Sequence, residues 1–265
     1  MYYFETHAHY DDEKFNGDRE EIIKKIFEAG VTKCVNIGCD IQTSKNSIEL
    51  AKKYDFIYAT CGIHPSEIPI SEEELELAID ELEAIITNSK KVVAIGEIGL
   101  DYHWNIDNKE MQKKAFVKQI ELANKLGLPI SIHTRDAIDD TIAIIKNEVK
   151  IKKGGILHCC PFNRELVRHG LDAGLYIAFG GTCTFKNSKN AEEIIKMVPI
   201  DRILIETDSP YLAPEPVRGS RNDSSNLRYI IRKIAEFKDE EPEIIAKITY
   251  ENAMKVFKIQ WKWLK

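Results

Sequence analysis

Six residues of metal-ligating type fall in short, well-defined stretches of the chain. They are His7 and His9 in ETHAHY, Glu97 in IGEIGLDY, His133 in IHTRDA, His158 in LHC and Asp208 in ETDSPY. Side chains alternate along an extended backbone, so His7 and His9 project to one side and can share an ion. Four histidines and two carboxylates suffice to hold two divalent ions with positions left for water and substrate. A divalent ion lowers the pKa of bound water from about 15.7 toward ~7, so the chemistry such a set supports is hydrolysis. Asp208 is the residue expected to orient that water and accept its proton. Zn, Mn, Fe and Ni suit nitrogen and oxygen donors, whereas Mg usually prefers oxygen alone; the residues do not choose among these five.

Such residues are useful only if the fold gathers them. Short apolar runs alternate with helix-period stretches along nearly the whole chain, the pattern of repeated βα units around a parallel sheet. Eight strands are expected near Tyr2–Thr6, Lys33–Ile37, Phe56–Cys61, Val92–Glu97, Pro129–His133, Gly155–His158, Leu175–Phe179 and Ile203–Thr207. Amphipathic stretches lie between them at Arg19–Ala29, Glu72–Thr87, Glu110–Leu126, Ala137–Val149 and Ala191–Met197. A loop, Ser209–Asn226, precedes two further helical patterns at Leu227–Phe237 and Pro242–Phe257, and Trp261–Lys265 reads as a last helical turn. Eight such units predict one (β/α)8 barrel over residues 1–265, close to the roughly 250 residues typical of that fold. The six residues, with His64 just after the third strand, then fall at strand C-terminal ends, the rim where such barrels carry their active sites.

Composition narrows the alternatives. With 43% hydrophobic and 30% charged residues the chain can bury a sizeable core, which excludes disordered and fibrous classes. A net charge of −6 argues against coating nucleic acid through bulk electrostatics, so any such contact must be local. The six cysteines include no CxxC pair and read as reduced core thiols. The start MYYFETHAHYDDEKF shows no signal-peptide pattern, and no segment reaches the roughly 18 apolar residues of a membrane span, so a cytosolic setting is expected.

Taken together, ETHAHY, GIHP, IGEIGLDY, IHTRDA, LHC, IETDSPYLAP and RGSRN, in this order from residue 5 to about 226, resemble the TatD family of metal-dependent deoxyribonucleases. The resemblance implies a (β/α)8 metallohydrolase related to the amidohydrolases, with two metals and 3′-5′ exonuclease activity on DNA. Position by position, it implies that His7, His9 and Asp208 hold the first metal, His133 and His158 the second, and that Glu97 bridges them. The chain departs from the family pattern at Glu5, where Asp is common, at Cys159-Cys160-Pro161-Phe162 after His158, and at Asp223-Ser224-Ser225.

Residues around the metal set supply candidate substrate contacts. His64 is free to touch a phosphate or leaving group, or else supports the third loop. Arg135 can pair with a phosphate, with a salt bridge as its other use, and Arg218 and Arg221 can do the same from the last loop. Tyr102, His103 and Trp104 can stack on a base of single-stranded nucleic acid, or pack the loop. His169 and Lys186 read as surface residues. Single-stranded DNA or a 3′ end is thus the expected substrate. A second class stays open: hydrolysis of an ester, lactone or amide bond, aminoacyl-tRNA included, because the same hydroxide attacks carbonyl carbon. A non-catalytic binding protein is disfavoured by the complete ligand set.

Overall fold

The computed structural model describes residues 1–104 and 106–260. Aliphatic and β-branched runs form eight strands: β1 (Tyr3–Ala8), β2 (Val31–Asn36), β3 (Ile57–Cys61), β4 (Val92–Asp101), β5 (Ile130–Arg135), β6 (Gly155–Leu157), β7 (Leu175–Phe179) and β8 (Ile203–Ile205). They lie in chain order in one sheet, each parallel to the next, and the sheet curls into a nearly closed barrel. All ten residues of β4 are buried, as expected for a parallel sheet covered by helices. Phe4, Val35, Val93, Ile156, Ala178 and Leu204 come from six different strands yet share one apolar cluster, which only the barrel interior allows. Tyr250 and Phe257 close that cluster, with Phe257 stacked on Phe4 at 5.6 Å.

The surrounding helices are α1 (Arg19–Glu28), α2 (Ile41–Lys53), α3 (Glu72–Thr87), α4 (Lys109–Leu126), α5 (Ile138–Ala143), α6 (Arg164–Asp172), α7 (Ala191–Met197), α8 (Leu227–Lys238) and α9 (Pro242–Val256). Helix α2 adds to the elements read from sequence. Its residues are largely polar, and its clearest signal is the reciprocal cap between Asp40 and Thr43. The helix expected over Ala137–Val149 is shorter: α5 ends at Ala143, and a π turn follows over Ile144–Glu148. The expected turn at Trp261–Lys265 lies outside the described residues. No described helix is long and apolar enough to cross a membrane.

Two joints in the barrel position the site. Strand β4 runs past Glu97 to Asp101 and pairs along β5, with Gly99 opposite His133 and Asp101 opposite Arg135. Gly99 has a φ of +140°, and a Cβ there would stand 2.0 Å from the His133 carbonyl oxygen, so only glycine permits this approach. The β8–β1 joint is different, because among the described residues it holds one isolated bridge, Ala8 to Ser209, in place of a ladder. Side chains stitch the rest. Thr6 Oγ1 donates to the Ile205 carbonyl at 2.9 Å. The buried Glu5 carboxylate accepts from His7 N (3.1 Å), Thr207 N (3.0 Å) and Thr207 Oγ1 (2.6 Å). Glu5, the departure from the family pattern, thus serves as an acceptor for backbone on both sides of the seam.

Candidate metal centre

Every residue of the expected ligand set reaches the barrel rim, and Glu97 stands among the others. His7 and His9, two residues apart across the end of β1, bring their Nε2 atoms to 3.2 Å. Glu97 Oε2 lies 3.3 Å from His7 Nε2 and 4.0 Å from His9 Nε2. Asp208 follows β8 and has left-handed backbone, φ 57°, a conformation aspartate tolerates better than most residues. Its N–H donates to the His7 carbonyl at 2.9 Å, and its Oδ1 comes within 3.6 Å of His7 Nε2 and 3.3 Å of His9 Nε2.

The other oxygen of Glu97 faces a second group. Oε1 lies 2.9 Å from His133 Nδ1, 3.5 Å from His158 Nε2 and 3.9 Å from His64 Nε2. The rings of His7 and His158 stack at 3.5 Å between the two halves. Donors placed 2.0–2.2 Å from a tetrahedral ion stand about 3.4 Å from one another. The five separations of 3.2–4.0 Å among His7, His9, Glu97 and Asp208 bracket that value. A nitrogen–oxygen donor set at this spacing fits a divalent cation, and the second group shares the same carboxylate.

Electrostatics agrees with that fit. Burial alone would raise the Glu97 carboxyl, but His7, His158 and His133 outweigh it and hold the group well below the usual range. Asp208 is likewise held down by His9 and His158 against the effect of burial. Both are therefore anionic at neutral pH. Burial works against the charged form of His158 as well, yet Glu206 and Glu97 push it up to about 9.

Several supporting residues were not singled out from the sequence. His133 Nε2 lies 3.0 Å from Asp101 Oδ2, and His158 Nδ1 lies 2.9 Å from Glu206 Oε1. These buried carboxylates hold the nitrogens that face away from Glu97, an arrangement that fixes the tautomer and orientation of a ligating imidazole. Asp101 lies four residues past Glu97, and Glu206 precedes Asp208 by two, as Glu5 precedes His7. That spacing was the available signal. Cys39 Sγ, 3.9 Å from His9 Nδ1 and 4.0 Å from Glu97 Oε2, was also passed over among the core thiols.

The expected substrate contacts are placed unequally. His64 supports the third loop, the second of the two uses expected of it. Its Nδ1 accepts from Ser66 N at 3.1 Å and caps the turn Pro65–Glu67, which leaves the proton on Nε2, facing the centre. Burial lowers its pKa to about 4, so that donor is neutral. Arg135 is exposed on the same rim. Arg218 lies over Phe185 at 4.1 Å and near Glu215, while Arg221 is engaged with Asp18 and the Lys14 carbonyl. Tyr102 does not suit base stacking: it is 8% exposed, its hydroxyl donates to Asp140 Oδ2 at 2.6 Å, and Lys109 covers its ring.

Comparison with known proteins points the same way. A family model described as TatD related DNase matches residues 4–258. An uncharacterized metal-dependent hydrolase of Bacillus subtilis, YabD, is 45% identical over 257 residues, which cover 97% of this chain and 99% of that protein. A 3′-5′ ssDNA/RNA exonuclease TatD of Salmonella typhimurium is 30% identical over 261 residues, covering 97% and 99%. Among solved structures, a TatD homologue from Escherichia coli K12 superposes with a TM-score of 0.90 at 25% identity, over 97% of this chain and 98% of that one.

Proposed function

The chain belongs to the TatD-related DNase family of metal-dependent hydrolases, and from that premise we propose that it is a 3′-5′ exonuclease that hydrolyses phosphodiester bonds at the ends of single-stranded DNA. The observation that carries this reading is Glu97, whose two oxygens face two separate donor groups. In this reading His7, His9 and Asp208 would hold one divalent ion and His133 and His158 a second, with Glu97 available to each. Bound there, the ions supply Lewis acidity toward a phosphoryl oxygen and hydroxide at neutral pH.

The remaining work falls to the chain itself. Asp208, anionic and at the edge of the centre, orients the attacking water and takes its proton. His64 offers a neutral Nε2–H to an oxygen of the phosphate, and this donor stays the same from mildly acidic to alkaline pH. Arg135 pairs with a phosphate from the rim.

The test is purified protein with 3′-labelled and 5′-labelled single-stranded DNA, in Mg²⁺ or Mn²⁺ and in EDTA, with Asp208→Asn as the contamination control. Mononucleotides are expected from the 3′ end only when metal and Asp208 are both present. The variant is expected to retain metal while turnover falls ~10²–10⁴-fold, the range for loss of a positioned proton acceptor. Intact DNA with metal bound would reject the nuclease reading.

A further inference from the structure

The rim beside His133 carries an aromatic surface that the metal centre does not use. Trp104 is 72% exposed, although indole is a side chain that folding ordinarily covers. The backbone N–H of Trp104 reaches Asp101 Oδ1 at 3.4 Å, and the other oxygen of Asp101 lies 3.0 Å from His133 Nε2, so a single carboxylate separates this loop from the centre. The ring does not stand loose. His103 meets it edge-on at 4.7 Å and is itself tied to Asp136 by an Nδ1–Oδ2 contact of 3.0 Å. The Arg135 guanidinium sits 5.4 Å from the indole centroid. That distance is within cation–π range. No carboxylate among the described residues pairs with Arg135.

An exposed indole with a guanidinium over its ring, and no carboxylate among the described residues neutralising that guanidinium, matches the two halves of a nucleotide, a flat base for the other indole face and an anionic phosphate. We propose that Trp104 and Arg135 form a subsite for one nucleotide of a single-stranded substrate, the indole stacking on the base and the guanidinium pairing with its phosphate. The inference rests on the exonuclease reading and adds the means by which the strand is held. Stacking of this kind tolerates any base, because every base has a π face. It also disfavours a duplex, in which both faces of an internal base are already covered. Of the three aromatic residues expected to stack on a base, Tyr102, His103 and Trp104, the exposed Trp104 is the one this subsite uses.

Steady-state kinetics on a short single-stranded oligonucleotide test the proposal. Trp104→Ala is expected to raise KM roughly 10-fold, with kcat changed much less, and Trp104→Phe to restore most of the loss. On oligonucleotides carrying one stable abasic residue at successive positions from the 3′ end, wild type and Trp104→Ala should converge at one position. An equal defect at every position, or no rise in KM, overturns the subsite. Fluorescence anisotropy of a labelled oligonucleotide on the metal-loaded protein separates the two readings. If the wild type leaves DNA uncut yet binds it roughly 10-fold more tightly than Trp104→Ala, the exonuclease reading falls and the subsite stands. Equal binding by the two proteins overturns the subsite whether or not DNA is cut.

Discussion

His133 and His158 each turn one nitrogen toward Glu97 and the other toward a buried carboxylate, His133 Nε2 in a hydrogen bond with Asp101 and His158 Nδ1 at ion-pair distance from Glu206. Across the same Glu97, the ion pairs of His7 run only through Nε2, its buried Nδ1 faces no carboxylate among the described residues, and His9 Nδ1 has only the Cys39 thiol at 3.9 Å. The two halves use similar donors but are supported differently. The His133 half grows from a ladder, β4 on β5, and its imidazoles are aimed by charge. The His7 half straddles the β8–β1 seam, where Glu5 binds backbone N–H groups on both sides and the imidazoles follow the backbone. Aim in one half should therefore depend on single carboxylates, and in the other on closure of the barrel.

The largest effect should come from the residue both halves share. Glu97→Gln is expected to weaken both of the proposed ions by more than the ~10–100-fold typical of losing an outer partner, measured as metal content after dialysis. If one equivalent survives at wild-type affinity, Glu97 serves only one half. Next come Asp101→Asn and Glu206→Gln, each expected to lower affinity for one of two ions by ~10–100-fold while leaving the other. Cys39→Ser should change it several-fold less, and calorimetric titration would reveal the order. A Cys39 effect as large as those of the two carboxylates would erase the distinction between the halves.

The smallest effect on the site, though not on the fold, is assigned to Glu5. Glu5→Ala strands two backbone N–H groups at the seam; at about 1.5 kcal/mol each, within the ~1–3 kcal/mol of an unsatisfied buried group, they cost about 3 kcal/mol together. For a chain of this size that corresponds to a fall in Tm of roughly 6–12 °C, read by calorimetry on metal-free protein. Glu5→Gln should recover most of it, since the N–H groups of His7 and Thr207 both bind Oε1, which an amide oxygen can replace. An unshifted Tm in Glu5→Ala would show that the seam does not depend on this side chain.

The barrel and the rim position of its candidate ligands were legible because both follow from short-range pattern. A period of two exposes the His7–His9 pair, and each remaining ligand closes an apolar run. What supports them was hidden, because Asp101 and Glu206 look like ordinary acids until the register of β4 against β5 and the turn after Leu157 bring them to the histidines. Strand ends were misjudged for a related reason. Glu97 reads as a terminus, but Gly99 lets β4 continue beside His133, and that close approach depends on long-range pairing. Tyr102 and Trp104 are equally plausible as bases' partners in sequence; only burial separates them.

The seam also has a meaning in time. Glu5 and its partner Thr207 are 202 positions apart, so at ~5–20 residues per second a ribosome needs roughly 10–40 s to supply the second after the first. Throughout that interval β1 is an unpaired edge on one side, and the His7–His9 pair is a two-point chelator with no Asp208 to complete it. Synthesis thus presents one side of the candidate centre well before the other, and the seam can close only once the second side has arrived.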